Sequence, residues 1–293
     1  MKFWLSIGLF LLTCSSWGQN LVPNPSFEQI EQYSCDLSYA PNNHYVKNWL
    51  SANGGSPDVY FNYGNKKCQT HAFSTHPATR GYQKPRSGEN MMGILMSAEF
   101  FTNDTLDRRE YLQAKLKRNL TPFFKYNVKA YISVTDHSVK TSNNIGFYFS
   151  DTFLWNNEPH GLIKLTPQLN EDDVIYNHED WVEVGGNFIA QSHSQYIIIG
   201  NFFSDKETII ATKEAEETRS NQSYFFIDDI SVRRICVESY NSDTTICPGE
   251  TVNLKAISYT ILGWSTLDNP DQVFSTDAEI QVSPTKTTTY LAL

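Results

Sequence analysis

The sequence predicts an all-β protein made of two consecutive β-sandwiches. Short runs of β-branched and aromatic residues recur along the chain, and turns rich in Asn, Gly, Pro, Asp or Ser separate them. Helical periodicity is scarce. Strands at this spacing, without helices between them, are typical of sandwiches and barrels.

Individual strands follow from the pattern of apolar residues. Apolar and polar residues alternate over 126–134, as in a strand with one buried face. Residues 197–199 are all Ile, which indicates a strand that is covered on both faces. The region 35–99 is rich in Asn, Gly, Pro and His, so we expect a long irregular segment there. The clearest predicted strands are 111–116, 126–134, 145–149, 181–189, 196–203 and 224–232.

The N-terminus has the order of a secretory signal peptide. Lys2 precedes an apolar run, and Ser16 and Gly18 place small residues before a cleavage site, so residues 1–18 are the predicted signal. The run is too short to span a bilayer, and no transmembrane segment is expected. Lipid anchoring at Cys14 is the less favoured alternative because Thr13 fits poorly before it. We therefore expect a secreted or outer-cell-surface protein.

Charge and cysteine content restrict the partners. The 293 residues carry a formal net charge of −9, which argues against nucleic acid and anionic membranes as partners. Of the five cysteines, Cys14 lies in the predicted signal. We expect the other four to form disulfides with their neighbours in the sequence, because each such bridge closes a short loop. The sequence has no C-x-x-C spacing, so a metal site at these cysteines is not indicated. The expected disulfides are Cys35–Cys68 and Cys236–Cys247.

Two segments far apart in the sequence carry acidic residues within apolar runs, and each segment is predicted to form a strand. They are Asn-Leu-Val-Pro-Asn-Pro-Ser-Phe-Glu at 20–28 and Tyr-Phe-Phe-Ile-Asp-Asp-Ile-Ser-Val at 224–232. A buried carboxylate is costly unless it is paired or bound to a cation. The pair resembles the opening and closing strands of the carbohydrate-binding-module-like, or galactose-binding-like, jelly roll. The resemblance implies a jelly-roll domain over 19–235.

Further motifs extend this resemblance. The sequence resembles secreted surface proteins of Bacteroidetes-type bacteria at four places: Trp49, the segment 56–62, Pro-Arg-Ser-Gly at 85–88 and Arg-Glu-Tyr-Leu at 109–112.

After residue 235 the sequence pattern changes. The motif over 243–254 resembles the opening of small Ig-like or PKD-like modules, which implies a second domain over 236–293, with Trp264 as its core tryptophan.

The resemblance also implies a structural calcium ion. Its ligands would be the backbone oxygen of Ser26, the carboxylate of Glu28, and Asp228 or Asp229. Calcium prefers six to eight oxygen ligands, so loop carbonyls or water would complete the set. In the alternative, Glu28 caps backbone amides and the two aspartates only close the sheet.

A sugar site is expected where aromatic and polar residues occur together. Flat apolar rings suit the CH face of a pyranose, and neighbouring amides, carboxylates and guanidinium groups suit its hydroxyls. For any single ring, packing in the core is the alternative. The candidate ligand-binding residues are Trp49, Asp58, Tyr60, Asn62, Arg86 and Trp155.

The predicted function is non-catalytic binding of a polysaccharide or a glycoprotein glycan, with other cell-surface proteins as further partners. The histidines are scattered, and neither H-E-x-x-H nor G-x-S-x-G occurs, so no enzyme is predicted. Two alternatives remain open. One is a structural or adhesive spacer without a small ligand, and the other is a glycan-active hydrolase.

Overall fold

The computed structural model describes residues 19–31, 46–61, 83–98, 107–213, 220–235, 244–256, 263–270 and 272–292. Within these ranges every regular element is a β-strand, which confirms the all-β fold class. The same ranges contain no helix of the length and apolarity needed to cross a membrane. The predicted signal peptide, Asn62 and the cysteines 35, 68 and 236 lie outside the described residues. Cys247 is exposed, and because its predicted partner Cys236 is not among the described residues, the Cys236–Cys247 disulfide stays a prediction.

The strands are β1 (Trp49–Ser51), β2 (Asp58–Phe61), β3 (Asn90–Ala98), β4 (Tyr111–Lys115), β5 (Lys125–Val134), β6 (Ser138–Ser142), β7 (Ile145–Ser150), β8 (Leu169–Glu171), β9 (Val182–Ile189), β10 (Tyr196–Gly200), β11 (Ile210–Thr212), β12 (Ser220–Arg234), β13 (Val252–Lys255), β14 (Trp264–Thr266), β15 (Glu279–Val282) and β16 (Tyr290–Ala292). A five-stranded antiparallel sheet has the order β1-β4-β10-β7-β8. A seven-stranded sheet has the order β11-β6-β12-β3-β2, with β5 paired to β12 and β9 paired to β5.

The inner faces of these two sheets form one hydrophobic core. Val128, Ala130 and Ile132 of β5 belong to the same buried cluster as Phe147 of β7 and Ile199 of β10. Residues between them on β5 are half-buried, so the alternation in the sequence marks the two faces of the strand. These two sheets therefore form a β-sandwich.

The region 35–99 is more regular than the sequence predicts. It contains β1, β2 and β3, and all nine residues of β3 are buried because it lies between β12 and β2 inside the sheet. A Cβ at Gly93 of β3 would lie 2.6 Å from ring atoms of both Tyr60 and Tyr224, so the glycine leaves room for these two rings on the neighbouring strands. Methionine and glycine in β3 are weak strand formers, which explains why the strand is missed.

The opening segment is not the strand that the sequence predicts. Residues 20–28 form bends and turns, and Asn24 and Phe27 have left-handed φ angles of 43° and 61°. The segment nevertheless lies against β12. Asn20 Nδ2 donates to Ile230 O at 3.0 Å, and Leu21 N donates to Val232 O at 2.9 Å.

The C-terminal residues form two small antiparallel sheets, β13 with β15 and β14 with β16. Trp264 is buried and its Nε1 donates to Asp277 O at 2.7 Å, as a core tryptophan should. The likeness of this part to an Ig or PKD module stays a prediction.

Candidate functional site

Glu28 binds the turn that precedes β3. Its Oε1 accepts the amide hydrogens of Glu89 and Asn90, both at 2.9 Å. Gly88 in this turn has a φ of 64°, and a Cβ there would lie 2.3 Å from Glu28 Oε1. The turn therefore requires glycine, and the carboxylate replaces backbone partners that its amides lack.

Asp228 holds the same turn from the other side. Its Oδ2 accepts the amides of Arg86 at 2.9 Å and Ser87 at 3.2 Å. Burial, and then the neighbouring Asp229 carboxylate, raise the pKa of Asp228 to about 7. Asp229 lies at a bulge of β12 with a φ of 50° and pairs with Arg86 Nη1 at 2.5 Å.

These contacts match the alternative in which Glu28 caps amides and the aspartates close the sheet. Calcium needs several oxygens directed at one point, whereas the acids here face N–H donors and a guanidinium group. Among the described residues, no group of three or more His, Cys, Asp or Glu side chains is placed to hold a metal. The contacts of these acids favour the capping alternative, and nothing in the described structure tests the calcium ligand set Ser26, Glu28, Asp228 and Asp229, which stays a prediction.

The predicted sugar platform is not formed by Trp49 and Tyr60. Trp49 is buried, its Nε1 donates to Asn24 O at 2.9 Å, and its ring packs 5.2 Å from Phe27. Tyr60 is also buried and meets Phe226 edge to face at 4.9 Å. The expectation of exposed rings at these two positions is wrong, because both side chains fill hydrophobic clusters.

The other predicted ligand residues that the structure describes have separate contacts. Asp58 Oδ2 accepts the Tyr224 hydroxyl at 2.5 Å, and the Arg86 guanidinium stacks 3.3 Å above the Tyr131 ring. Both contacts involve the seven-stranded sheet. Trp155 is 44% exposed and lies in the β7–β8 link, close to Gly54 at the end of β1. It is the most exposed of the three predicted rings.

A different cavity lies on the outer face of the five-stranded sheet. Its volume is about 320 Å³, near the lower end of the range of about 300–1,000 Å³ that is usual for small-ligand pockets. The lining residues are Glu31, Val46, Asn48, Trp49, Leu50, Gln113, Lys115, Phe153 and Tyr196.

Two aromatic rings form one wall of this cavity. Phe153 is 43% exposed, and its ring meets that of Tyr196 in a T-shaped contact at 6.0 Å. Lys115 Nζ lies 6.0 Å from the centroid of the Tyr196 ring. Partly exposed rings beside hydrogen-bonding side chains are the combination that a sugar requires.

Gln113 fixes this wall in place. Its Nε2 donates to Leu154 O at 3.1 Å, and its Oε1 accepts the Leu154 amide at 2.9 Å. Because Leu154 follows Phe153 directly, the buried Gln113 amide positions the exposed ring. The charged lining residues are one acid, Glu31, and one base, Lys115, and both are exposed. Their formal charges cancel.

Sequence reasoning missed Phe153, Gln113 and Tyr196. The sequence did contain an indication of Phe153. It lies two residues before the predicted ligand residue Trp155, and alternate residues of an extended segment point to the same side. Tyr196 starts a strand that was predicted, but its outward direction depends on the pairing of β10 with β4 and β7.

No protein-family model matches this sequence, and no curated protein sequence matches it. Several solved structures are similar in shape. The CBM22-1 xylan-binding domain from Paenibacillus barcinonensis matches at 10% identity over 75% of this chain and 97% of its own, with a TM-score of 0.36. The K2 cleaved adhesin domain of Lys-gingipain matches at 12% identity over 73% and 97%, with a TM-score of 0.32. TmCBM61, solved with β-1,4-galactotriose, matches at 13% identity over 74% and 99%, with a TM-score of 0.30. TM-scores this low support no conclusion about the ligand of this chain.

Proposed function

We propose that the protein is a non-catalytic glycan-binding protein and that the cavity at Phe153 and Tyr196 is its binding site. The observation that carries the proposal is the aromatic wall of a concave site, with Asn48 and Lys115 among its polar lining residues. Such rings bind the apolar face of a pyranose, and the polar groups around them can bind its hydroxyls.

The lining residues support binding rather than hydrolysis. Glycoside hydrolases ordinarily use a pair of carboxyl groups on either side of the scissile bond. Among the described residues that line this cavity, Glu31 is the single carboxylate. Because the charges of Glu31 and Lys115 cancel, a neutral glycan fits better than an acidic or a sulfated one.

A glycan array probed with the full chain tests the proposal. We expect binding to a neutral oligosaccharide or polysaccharide, loss of that binding in Phe153→Ala, and retention in Tyr176→Ala. Tyr176 is the matched control because it is 53% exposed but does not line the cavity. Absence of binding to every neutral glycan would refute the proposal, as would equal binding by both variants.

A spacer without a small ligand is the second candidate. The burial of Tyr60 favours it, because this ring contributes to stability and does not line the cavity. A spacer has no reason to expose Phe153 at the wall of a cavity, so the same array decides between the two functions.

The protein would meet its glycan outside the cell. The predicted signal over 1–18 supports export, and N-terminal sequencing of the protein recovered from culture medium tests it. A mature chain that starts at residue 19 is the expected result, and an intact Met1 would contradict export by this signal.

A further inference from the structure

We infer that the cavity takes the end of a glycan chain and not a stretch from the middle of one. The inference rests on the proposed function and concerns the same site. It follows from the β7–β8 link, residues 151–168, which covers part of the sheet face on which the cavity lies.

The link lies over the outer surface of the five-stranded sheet. Tyr111 of β4 and Ile198 of β10 face outward, since their neighbours Leu112 and Ile199 belong to the core between the sheets. Both outward residues are nevertheless fully buried. The apolar residues of the link that pack on their cluster are Leu154, Ile163 and Leu165.

Hydrogen bonds attach the link along its length. Beyond the Gln113–Leu154 pair, the Asn156 amide donates to Ala52 O at 2.8 Å, and the Ile163 amide donates to the Tyr111 hydroxyl at 2.9 Å. Further on, Asn53 Nδ2 donates to Gly161 O at 2.8 Å, and both of these groups are buried. Displacing the link would break these bonds and expose the apolar cluster, so it is a fixed part of the face.

The link closes the cavity in two directions. Phe153 stands against Tyr196, whose backbone partner on β7 is Ser150, so the ring blocks the way toward β7. Leu154 is bound to Gln113, and beyond it the outward-facing Tyr111 is buried under the link, so the way along β4 toward Tyr111 is covered. A long chain running across the strands would have to pass Phe153, and one running along β4 would have to pass Leu154. A chain end has to pass neither residue, and a volume of about 320 Å³ suits a terminal sugar with its neighbour.

The test compares long and shortened samples of one polysaccharide at equal sugar mass. Soluble xylan and β-1,4-galactan are probed by calorimetry with the full chain, before and after partial cleavage by an endo-acting hydrolase. If the site takes chain ends, a tenfold rise in ends lowers the apparent Kd per unit mass about tenfold. In a ladder of purified oligosaccharides, affinity should level off after the first few sugars.

The outcomes separate the two proposals. Equal or weaker binding per unit mass after cleavage, or affinity that keeps rising along the ladder, would overturn the chain-end inference and leave glycan binding intact. If neither these samples nor any glycan of the array binds, the proposed function fails and the inference fails with it.

Discussion

Gln113 and the backbone of Leu154 form a two-way hydrogen-bonded pair, with distances of 3.1 Å from Gln113 Nε2 to Leu154 O and 2.9 Å from Leu154 N to Gln113 Oε1. The side chain replaces a strand partner for one residue of an irregular link. A single amide on β4 therefore connects the rigid sheet to the ring that stands beside it.

Replacing Gln113 by Ala should loosen the cavity wall. It leaves the Leu154 amide and carbonyl without these partners, so we expect a loss of about 1–3 kcal/mol in unfolding free energy and weaker glycan binding. Gln168 offers a matched control, because its amide makes the same two bonds with the backbone of Phe149, at 2.8 and 3.2 Å, but is exposed. Gln168→Ala should cost a similar amount of stability, because the Phe149 backbone loses the same two partners, but it should leave glycan binding unchanged because Gln168 does not line the cavity. Equal losses of glycan affinity in the two variants would contradict the role given to Gln113.

Two tryptophans should lose very different amounts of stability on the same substitution. Trp49→Ala removes a fully buried ring and should cost about 3–5 kcal/mol of stability. Trp155→Ala removes a ring that is 44% exposed and should cost less than about 1 kcal/mol. Chemical denaturation measures both values. A nearly neutral Trp49→Ala would show that this side chain is not part of the core.

Glycan affinity should change little with salt. A neutral glycan carries no charge for the lining residues Glu31 and Lys115 to attract, and salt screens interactions between charges. We expect the Kd for the glycan that binds best on the array to shift less than about twofold between low and high ionic strength. A steep loss of affinity with salt would indicate instead that Lys115 recognises an acidic glycan.

Acid should destabilise the region around His160. Burial first, and then the positive charge of Arg108, lower the pKa of His160, although Glu110 Oε1 lies 3.5 Å from its Nδ1. The unfolded chain therefore binds a proton more readily, and stability falls as the pH falls below about 6.5. The slope from this group is at most about 1.4 kcal/mol per pH unit.

His160→Asn isolates this contribution. His160 has a φ of 59°, which Asn also tolerates, so the backbone is preserved while the titrating group is removed. Between pH 7 and 5 the variant should lose less stability than the wild type in parallel denaturant titrations. Identical pH slopes would assign the acid sensitivity to other groups.

Calcium is tested by melting the protein with calcium and with a chelator. If Glu28 and Asp228 share an ion, calcium at a concentration one hundred times its Kd stabilises the folded state by about 2.7 kcal/mol. The melting temperature then rises. The increase should vanish in Glu28→Gln. An unchanged melting temperature would leave Glu28 as the cap of the Glu89 and Asn90 amides that the structure shows.

Strands with clear alternation are predictable from the sequence, and those that lack it are not. The predicted strand 126–134 corresponds to β5, and the all-Ile run 197–199 is covered on both faces, as expected. β3 is missed because burial on both sides removes the alternation and its Met and Gly residues carry little strand preference. The all-Ile run 197–199 did point to the site, because the outward-facing Ile198 requires another segment to cover it, and that segment is the β7–β8 link.

The site itself depends on pairings that no local pattern encodes. Asp58 and Arg86 are polar residues in a promising region, but Tyr224 and Asp229, far along the chain, provide their partners. Whether a ring such as Trp49 or Phe153 faces solvent depends on which sheet lies behind it. That information is a property of the assembled sandwich.

The hydrogen bond between Asn20 and Ile230 joins residues 210 positions apart and has a consequence for folding kinetics. Contacts of this sequence separation form late, because the entropy of closing the loop must be met before they contribute. β12, which ends at Arg234, is also the partner of β3 and β5. A growing chain therefore holds every residue of the cavity once Tyr196 has been made, yet it lacks the central strand of the opposite sheet. We expect such a chain to remain unfolded, with its apolar strands exposed to chaperones, until residue 234 is available.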